Sequence, residues 1–154
     1  MDFKPINVLL ADDDTDDCLF FKDAIMEVVP EKNFTAVHDG EQLMQLLLQE
    51  TNQIPDILFL DLNMPRKNGF ECLSEIRQNK KLKSLPIIIF STSYEQEMVN
   101  LLYENGAQYY IRKPTEFLQF KKIILHTLTI IMQKNMAQPR KESFVITPEN
   151  SLTI

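Results

Sequence analysis

The apolar run Ile57-Leu58-Phe59-Leu60 stops at a carboxylate, Asp61, with Leu62-Asn63-Met64-Pro65 directly after it. Four apolar residues without alternation describe a short strand covered on both faces, the habit of parallel α/β sheets. Pro65 and the polar Arg66-Lys67-Asn68-Gly69 cannot prolong such a strand, so Asp61 lies at its C-terminal end. Open α/β sheets hold their ligands at that edge. An isolated strand-end Asp is more often a turn cap, so the rest of the chain has to decide.

Read in order, the chain alternates. Ile6 to Ala11 is a strand ending in Asp12-Asp13-Asp14. Thr15 or Asp14 then caps a helix with acids in its first turn, where the helix dipole favours them. Leu19, Phe20, Ala24, Ile25 and Val28 are its expected buried stripe, and Pro30 bars its extension. Phe34 to Val37 is a second strand, and Asp39-Gly40-Glu41 turns into a helix carrying Leu43, Met44, Leu46, Leu47 and Leu48. After Gly69 comes a helix with Phe70, Cys72, Leu73 and Ile76 inward, finished by Lys80-Lys81-Leu82-Lys83.

Pro86 opens a fourth strand, Ile87 to Phe90, which Ser91-Thr92-Ser93 closes with hydroxyls. A helix through Met98, Val99, Leu101 and Leu102 stops at Asn105-Gly106, residues that suit a C-cap. Tyr109-Tyr110-Ile111 is the fifth strand, closed by Arg112-Lys113-Pro114, and Thr115-Glu116 start a last helix to about Met136. Strand followed by helix, repeated in this way, predicts a doubly wound α/β parallel sheet with helices on both faces. Residues 1–136 form that domain, while residues 137–154 lie beyond the pattern. Phe144-Val145-Ile146-Thr147 has strand character there, yet a disordered tail is the expectation, ahead of a docking strand.

Composition narrows the function. A chain of 154 residues fits one core. Its net charge of -6 argues against nonspecific nucleic-acid binding and suits cations and protein partners. No apolar run is long enough to cross a bilayer, and the first residues are no signal peptide. Cys18 and Cys72 read as reduced core thiols of a cytoplasmic protein.

In a parallel sheet the strand ends share one edge, so Asp12, Asp13, Asp61, Ser91 and Lys113 converge on one crevice. Carboxylates in contact do not all stay ionised without a cation. A hard divalent ion that accepts oxygen ligands and keeps waters, Mg²⁺, is the natural solution. With it in place Asp61 can attack a phosphoryl donor while the metal and Lys113 draw charge from the equatorial oxygens, and Ser91 donates to the same group.

The order of these residues resembles the receiver domain of response regulators. The resemblance covers residues 5 to about 136 and rests on Asp12-Asp13, Asp61-Leu62-Asn63-Met64-Pro65 with Gly69, Ser91, and Lys113-Pro114. It implies a flavodoxin-like (βα)5 fold with strand order 2-1-3-4-5. It implies that Asp61 is the phosphoacceptor, that Asp12 and Asp13 are the acid pair with Asp13 a direct metal ligand, and that Asn63 offers its backbone carbonyl to the metal. Lys113 would pair with the phosphate, its bond to Pro114 would be cis, Ser91 would be the switch hydroxyl and Tyr110 the aromatic that changes rotamer. Thr92 and Ser93 compete with Ser91, Asp14 competes within the acid pair, and Tyr109 is the weaker alternative to Tyr110. The implied donor is a sensor histidine kinase or histidine phosphotransfer protein, and the protein is expected to signal rather than act as an enzyme. Its switching would bias a surface made of the fourth helix, fifth strand and last helix.

Stand-alone receivers that partner bacterial phytochrome kinases are similar to this chain across Asp61 to Lys67. On the last helix Phe117, Phe120, Ile124, Leu128 and Ile131 form the expected core stripe. Ile123 and Ile130 flank it, which suggests a homodimer through that surface. The residues after 136 are too few for a DNA-binding unit with its own core. A phosphohydrolase of the haloacid-dehalogenase type is the enzymatic rival, but Asn63 stands where its general acid belongs. A non-phosphorylated pseudo-receiver is the other. Asp12, Asp14 and Asp16 mimic a calcium loop without its glycine or closing glutamate. His38 and His126 lack metal-ligand spacing.

Overall fold

Each of the short apolar runs forms a strand in the computed structural model, which describes residues 6–49, 53–133 and 137–147. The elements are β1 (Val8–Ala11), α1 (Thr15–Ile25), β2 (Phe34–Val37), α2 (Gly40–Leu48), β3 (Ile57–Leu60), α3 (Gly69–Gln78), β4 (Ile87–Ser91), α4 (Gln96–Glu104), β5 (Tyr109–Arg112), α5 (Phe117–Gln133) and β6 (Val145–Ile146). The sheet is parallel throughout, in the order β2-β1-β3-β4-β5-β6. This is the doubly wound, flavodoxin-like order 2-1-3-4-5 with one short strand added at the edge.

Strand side chains alternate between two cores. Leu9, Leu58, Leu60, Ile87, Ile89 and Tyr110 pack with α2, α3 and α4. Leu10, Ile57, Phe59, Ile88, Phe90 and Ile111 pack with α1 and α5. In the second core Phe21 lies edge-on to Phe59 at 4.8 Å and Phe90 edge-on to Phe120 at 5.2 Å. Such ring pairs add about 0.5–1.5 kcal/mol each beyond the area they bury.

The helices begin and end where the caps dictate. Asp14, and not Thr15, caps α1, accepting from the backbone N–H groups of Asp16 and Asp17. Asn68 and Glu71 close a reciprocal capping box on α3. Gly106 stops α4 with φ of 91°, a left-handed conformation that glycine adopts without strain.

Several expected faces are displaced. On α1 the buried residues are Cys18, Phe21, Ala24 and Ile25, with Val29 after the helix, whereas Leu19, Phe20 and Val28 are exposed. The stripe is rotated because the aromatic cluster selects Phe21 over Phe20, whose ring packs at the rim against Phe117 and Phe120. On α5 Ile123 is fully buried, and Phe117, expected inside, is exposed. Ile123 therefore cannot help form an external docking pair. Leu48 and Leu101 are exposed, being on the outer faces of α2 and α4. The last helix is described to Gln133, and its expected end at Met136 lies outside the described residues.

Residues 137–147 take the docking-strand alternative rather than the disordered tail placed ahead of it. After α5 the chain returns, makes a single 3-10 turn at Lys141–Ser143 and lays β6 beside β5. Phe144 enters the α2–α4 core and Ile146 the α1–α5 core, both buried. One apolar side chain on each face of the sheet offsets the cost of ordering the segment.

Candidate functional site

The site is built from residues standing one place past the strands but still tied to the ladder. The N–H of Asp12 donates to Val37 O at 3.0 Å and that of Asp61 to Ala11 O at 2.9 Å. The N–H of Lys113 donates to Ser91 O at 2.8 Å. Along their strands Asp12, Asp61 and Lys113 share the parity of Leu10, Phe59 and Ile111, whose side chains face α1 and α5. Pairing in register therefore delivers three charged side chains to the same side of one sheet edge.

Carboxylate oxygens of Asp12, Asp13 and Asp61 lie within 4.8 Å of one another. Asp12 is fully buried and Asp61 nearly so, while Asp13 is exposed and keeps the cluster open to water. The Lys113 Nζ donates to Asp12 Oδ2 at 2.6 Å and to Asp17 Oδ2 at 2.8 Å, and stands 3.9 Å from Asp61 Oδ2. It also sits 5.2 Å from the centre of the Phe90 ring, which closes the site from below.

These surroundings set the charge states. Burial raises the Asp61 carboxyl from 3.8 to about 7, Lys113 lowering it and Asp12 and Asp13 raising it further. Burial also raises Asp12, against the pull of Lys113. For Lys113, burial disfavours the ammonium, but Asp12, Asp61 and Asp17 together outweigh it and raise its pKa. One ammonium is too little positive charge for this many acids, so the site has room for more. Hard oxygen donors, solvent access through Asp13 and surplus negative charge fit a divalent cation of the Mg²⁺ or Mn²⁺ class.

The connection after β3 is shaped by Gly69. Its N–H donates to Leu62 O at 2.9 Å. A Cβ there would stand 2.3 Å from the Asp61 carbonyl oxygen, so only glycine lets α3 start this close to the site. The backbone N–H of Asn63 bonds the Asp61 carboxylate, and the Asn63 side-chain amide donates to Ser93 Oγ at 3.4 Å.

Ser91, fully buried, places its Oγ 3.1 Å from Ser93 Oγ and accepts from the Ser93 N–H at 3.3 Å. Tyr110 is already turned inward, 1% exposed, with its hydroxyl donating to the Ser93 carbonyl. Tyr109 packs toward the opposite core. Asp14 is spent on capping α1 and stands outside the acid cluster. No peptide among the described residues is cis, so the bond from Lys113 to Pro114 is trans, contrary to expectation. The trans form is the lower-energy isomer even before proline. The residue missed in the sequence is Asp17: it looks like one more acid in a solvated run, yet α1 aims it at Lys113.

Over 124 residues, 78% of this chain and 84% of the relative, the sequence is 29% identical to response regulator Rcp1 of Synechocystis sp.. Among solved structures, the phosphorylated cyanobacterial phytochrome response regulator RcpA superposes with a TM-score of 0.79 at 28% identity, covering 84% of this chain and 95% of that one. The Mn²⁺-bound form of Rcp1 gives a TM-score of 0.78 at 27% identity, covering 88% and 99%. No helix among the described residues is long and apolar enough to cross a membrane. The response regulator receiver domain profile matches residues 8–125, which carry Asp12, Asp13, Asp61, Ser91 and Lys113, and the chain belongs to that family.

Proposed function

We propose that this protein is the phosphoacceptor of a two-component phosphorelay, taking a phosphoryl group on Asp61 from a sensor histidine kinase or a histidine phosphotransfer protein in the cytoplasm. The observation that carries this reading is the meeting of Asp12, Asp13 and Asp61 around one open point with Lys113 beside them. An Asp61 carboxylate oxygen attacks the phosphorus, the phosphorus–nitrogen bond of the donor histidine breaks, and an acyl phosphate forms. Lys113, held by Asp12 and Asp17, meets the charge of the incoming phosphoryl group.

Asp12, Asp13, Asp61 and the backbone carbonyl of Asn63 would hold Mg²⁺. When bound, that ion supplies charge neutralisation at the phosphoryl oxygens. Ser91 and Tyr110 read out the result: an acyl phosphate attracts the Ser91 hydroxyl, and the Ser93 carbonyl links the same loop to Tyr110. The output is protein contact or onward phosphotransfer. The Rcp1 and RcpA likeness supports a phytochrome-type kinase as the donor.

Incubation with acetyl phosphate and Mg²⁺, followed by mass spectrometry, tests the assignment. One phosphoryl adduct is expected, lost in Asp61→Asn. An unmodified wild-type protein would leave the pseudo-receiver reading in its place. Ser91→Ala is expected to accept phosphate yet lose the change in partner affinity.

A further inference from the structure

Residues 138–146 run across α4 and β5 and are fastened at both ends. The Gln138 Nε2 donates to the carbonyls of Tyr103 and Ala107, at 2.7 Å each, and the Tyr103 hydroxyl donates to Pro139 O at 2.8 Å. Further along, Phe144 is 1% exposed and lies edge-on to Tyr103 at 5.1 Å. The backbone N–H of Tyr110 donates to Phe144 O at 3.0 Å, and β6 continues that pairing. Tyr110 thus touches the segment through its backbone and the β4–α4 loop through its hydroxyl. From Asp61 the contacts run without a gap through Asn63, Ser93 and Tyr110 to Phe144.

We propose that residues 138–146 are a strap whose seating is thermodynamically coupled to the phosphoryl state of Asp61, because strap and acyl phosphate favour the same inward Tyr110. The proposal rests on the phosphoacceptor reading above. Phe144 and Tyr110 belong to one apolar cluster with Val99, Leu102 and Ala107. The inward ring and Phe144 fill the same apolar cluster, and β6 pairs with β5 at Tyr110, so seating the strap fixes β5 and α4 around the ring. A group at Asp61 that holds Ser91 and Ser93 in place stabilises the same arrangement from the other side. Coupling of this kind is reciprocal. It also means that a partner meets the strap rather than a bare β5 edge, and that a homodimer through α4, β5 and α5 must first displace it.

The test uses the full chain and trypsin, with cleavage after Arg140 and Lys141 followed by mass spectrometry. Both side chains are exposed, but Lys141 opens the 3-10 turn, so cutting there requires the strap to lift. Beryllofluoride with Mg²⁺ is expected to slow these cuts by about fivefold or more relative to Mg²⁺ alone. Asp61→Asn should show no slowing. Phe144→Ala should be cut faster and bind beryllofluoride more weakly. Fluorine NMR reports whether beryllofluoride is bound. A bound signal with unchanged or faster cleavage overturns the coupling alone. No bound signal overturns the phosphoacceptor reading, and the coupling with it.

Discussion

Replacing Asp61 by Asn should stabilise this protein, although it removes the residue on which the proposed chemistry depends. Asp61 keeps its proton until about pH 7, against 3.8 for an ordinary Asp, chiefly because it is buried. Between those values the folded chain binds more protons than the unfolded one, so stability falls as pH rises through that window. At about 1.36 kcal/mol per pH unit, the ionised carboxylate opposes folding by at most about 4 kcal/mol at pH 8. Asn has the same shape and carries no charge. It leaves Lys113 paired, since that ammonium bonds Asp12 and Asp17 at 2.6 and 2.8 Å and stands 3.9 Å from Asp61. Urea titrations in EDTA from pH 5 to 8 are the assay. The wild type should lose stability steadily, Asp61→Asn should lose less, and at pH 8 the variant should have the higher midpoint. A variant less stable than wild type at pH 8 without metal would refute the reasoning, because it would show Asp61 to be stabilised by Lys113 more than penalised by burial and by Asp12.

Mg²⁺ at a hundredfold excess over its dissociation constant should raise the wild-type unfolding free energy at pH 8 by about 2–3 kcal/mol, and that of Asp61→Asn far less, as denaturant titration will show. Gly69→Ala should cost about 2–3 kcal/mol, because its Cβ meets the Asp61 carbonyl at 2.3 Å, and should slow labelling by acetyl phosphate. Arg77→Met should cost about 3 kcal/mol with unchanged adduct formation. That guanidinium donates to the carbonyls of Lys83, Leu85 and Gly106, at distances from 2.7 to 3.2 Å, far from the site at the other end of the sheet.

Local sequence determined which segments become strands and where the site chemistry stands on them. Ile57–Leu60 and Ile87–Phe90 are too uniformly apolar to sit anywhere but inside a parallel sheet, and Asp61 and Ser91 follow from where those runs stop. The ends of β1, β3, β4 and β5 can be placed this way because the apolar runs and the residues that break them are encoded within a few positions.

What tertiary structure alone decided was the rotation of helices and the choice among neighbouring identical groups. Phe20 and Phe21 are equivalent in composition, and only the cluster of Phe59 and Phe90 selects Phe21. Asp12, Asp13, Asp14 and Asp17 read as one acidic run, yet folding makes one a buried partner of Lys113, one the exposed member of the acid cluster, one a helix cap and one a second hold on Lys113. The strand character of Phe144 to Thr147 could be read locally but the docking of Phe144 could not, since a short apolar stretch after a linker folds back only if a free strand edge and a socket lined by Tyr103 await it. Hydrophobic pattern says that a side chain must be buried. Which side chain wins depends on the volume that distant segments leave for it.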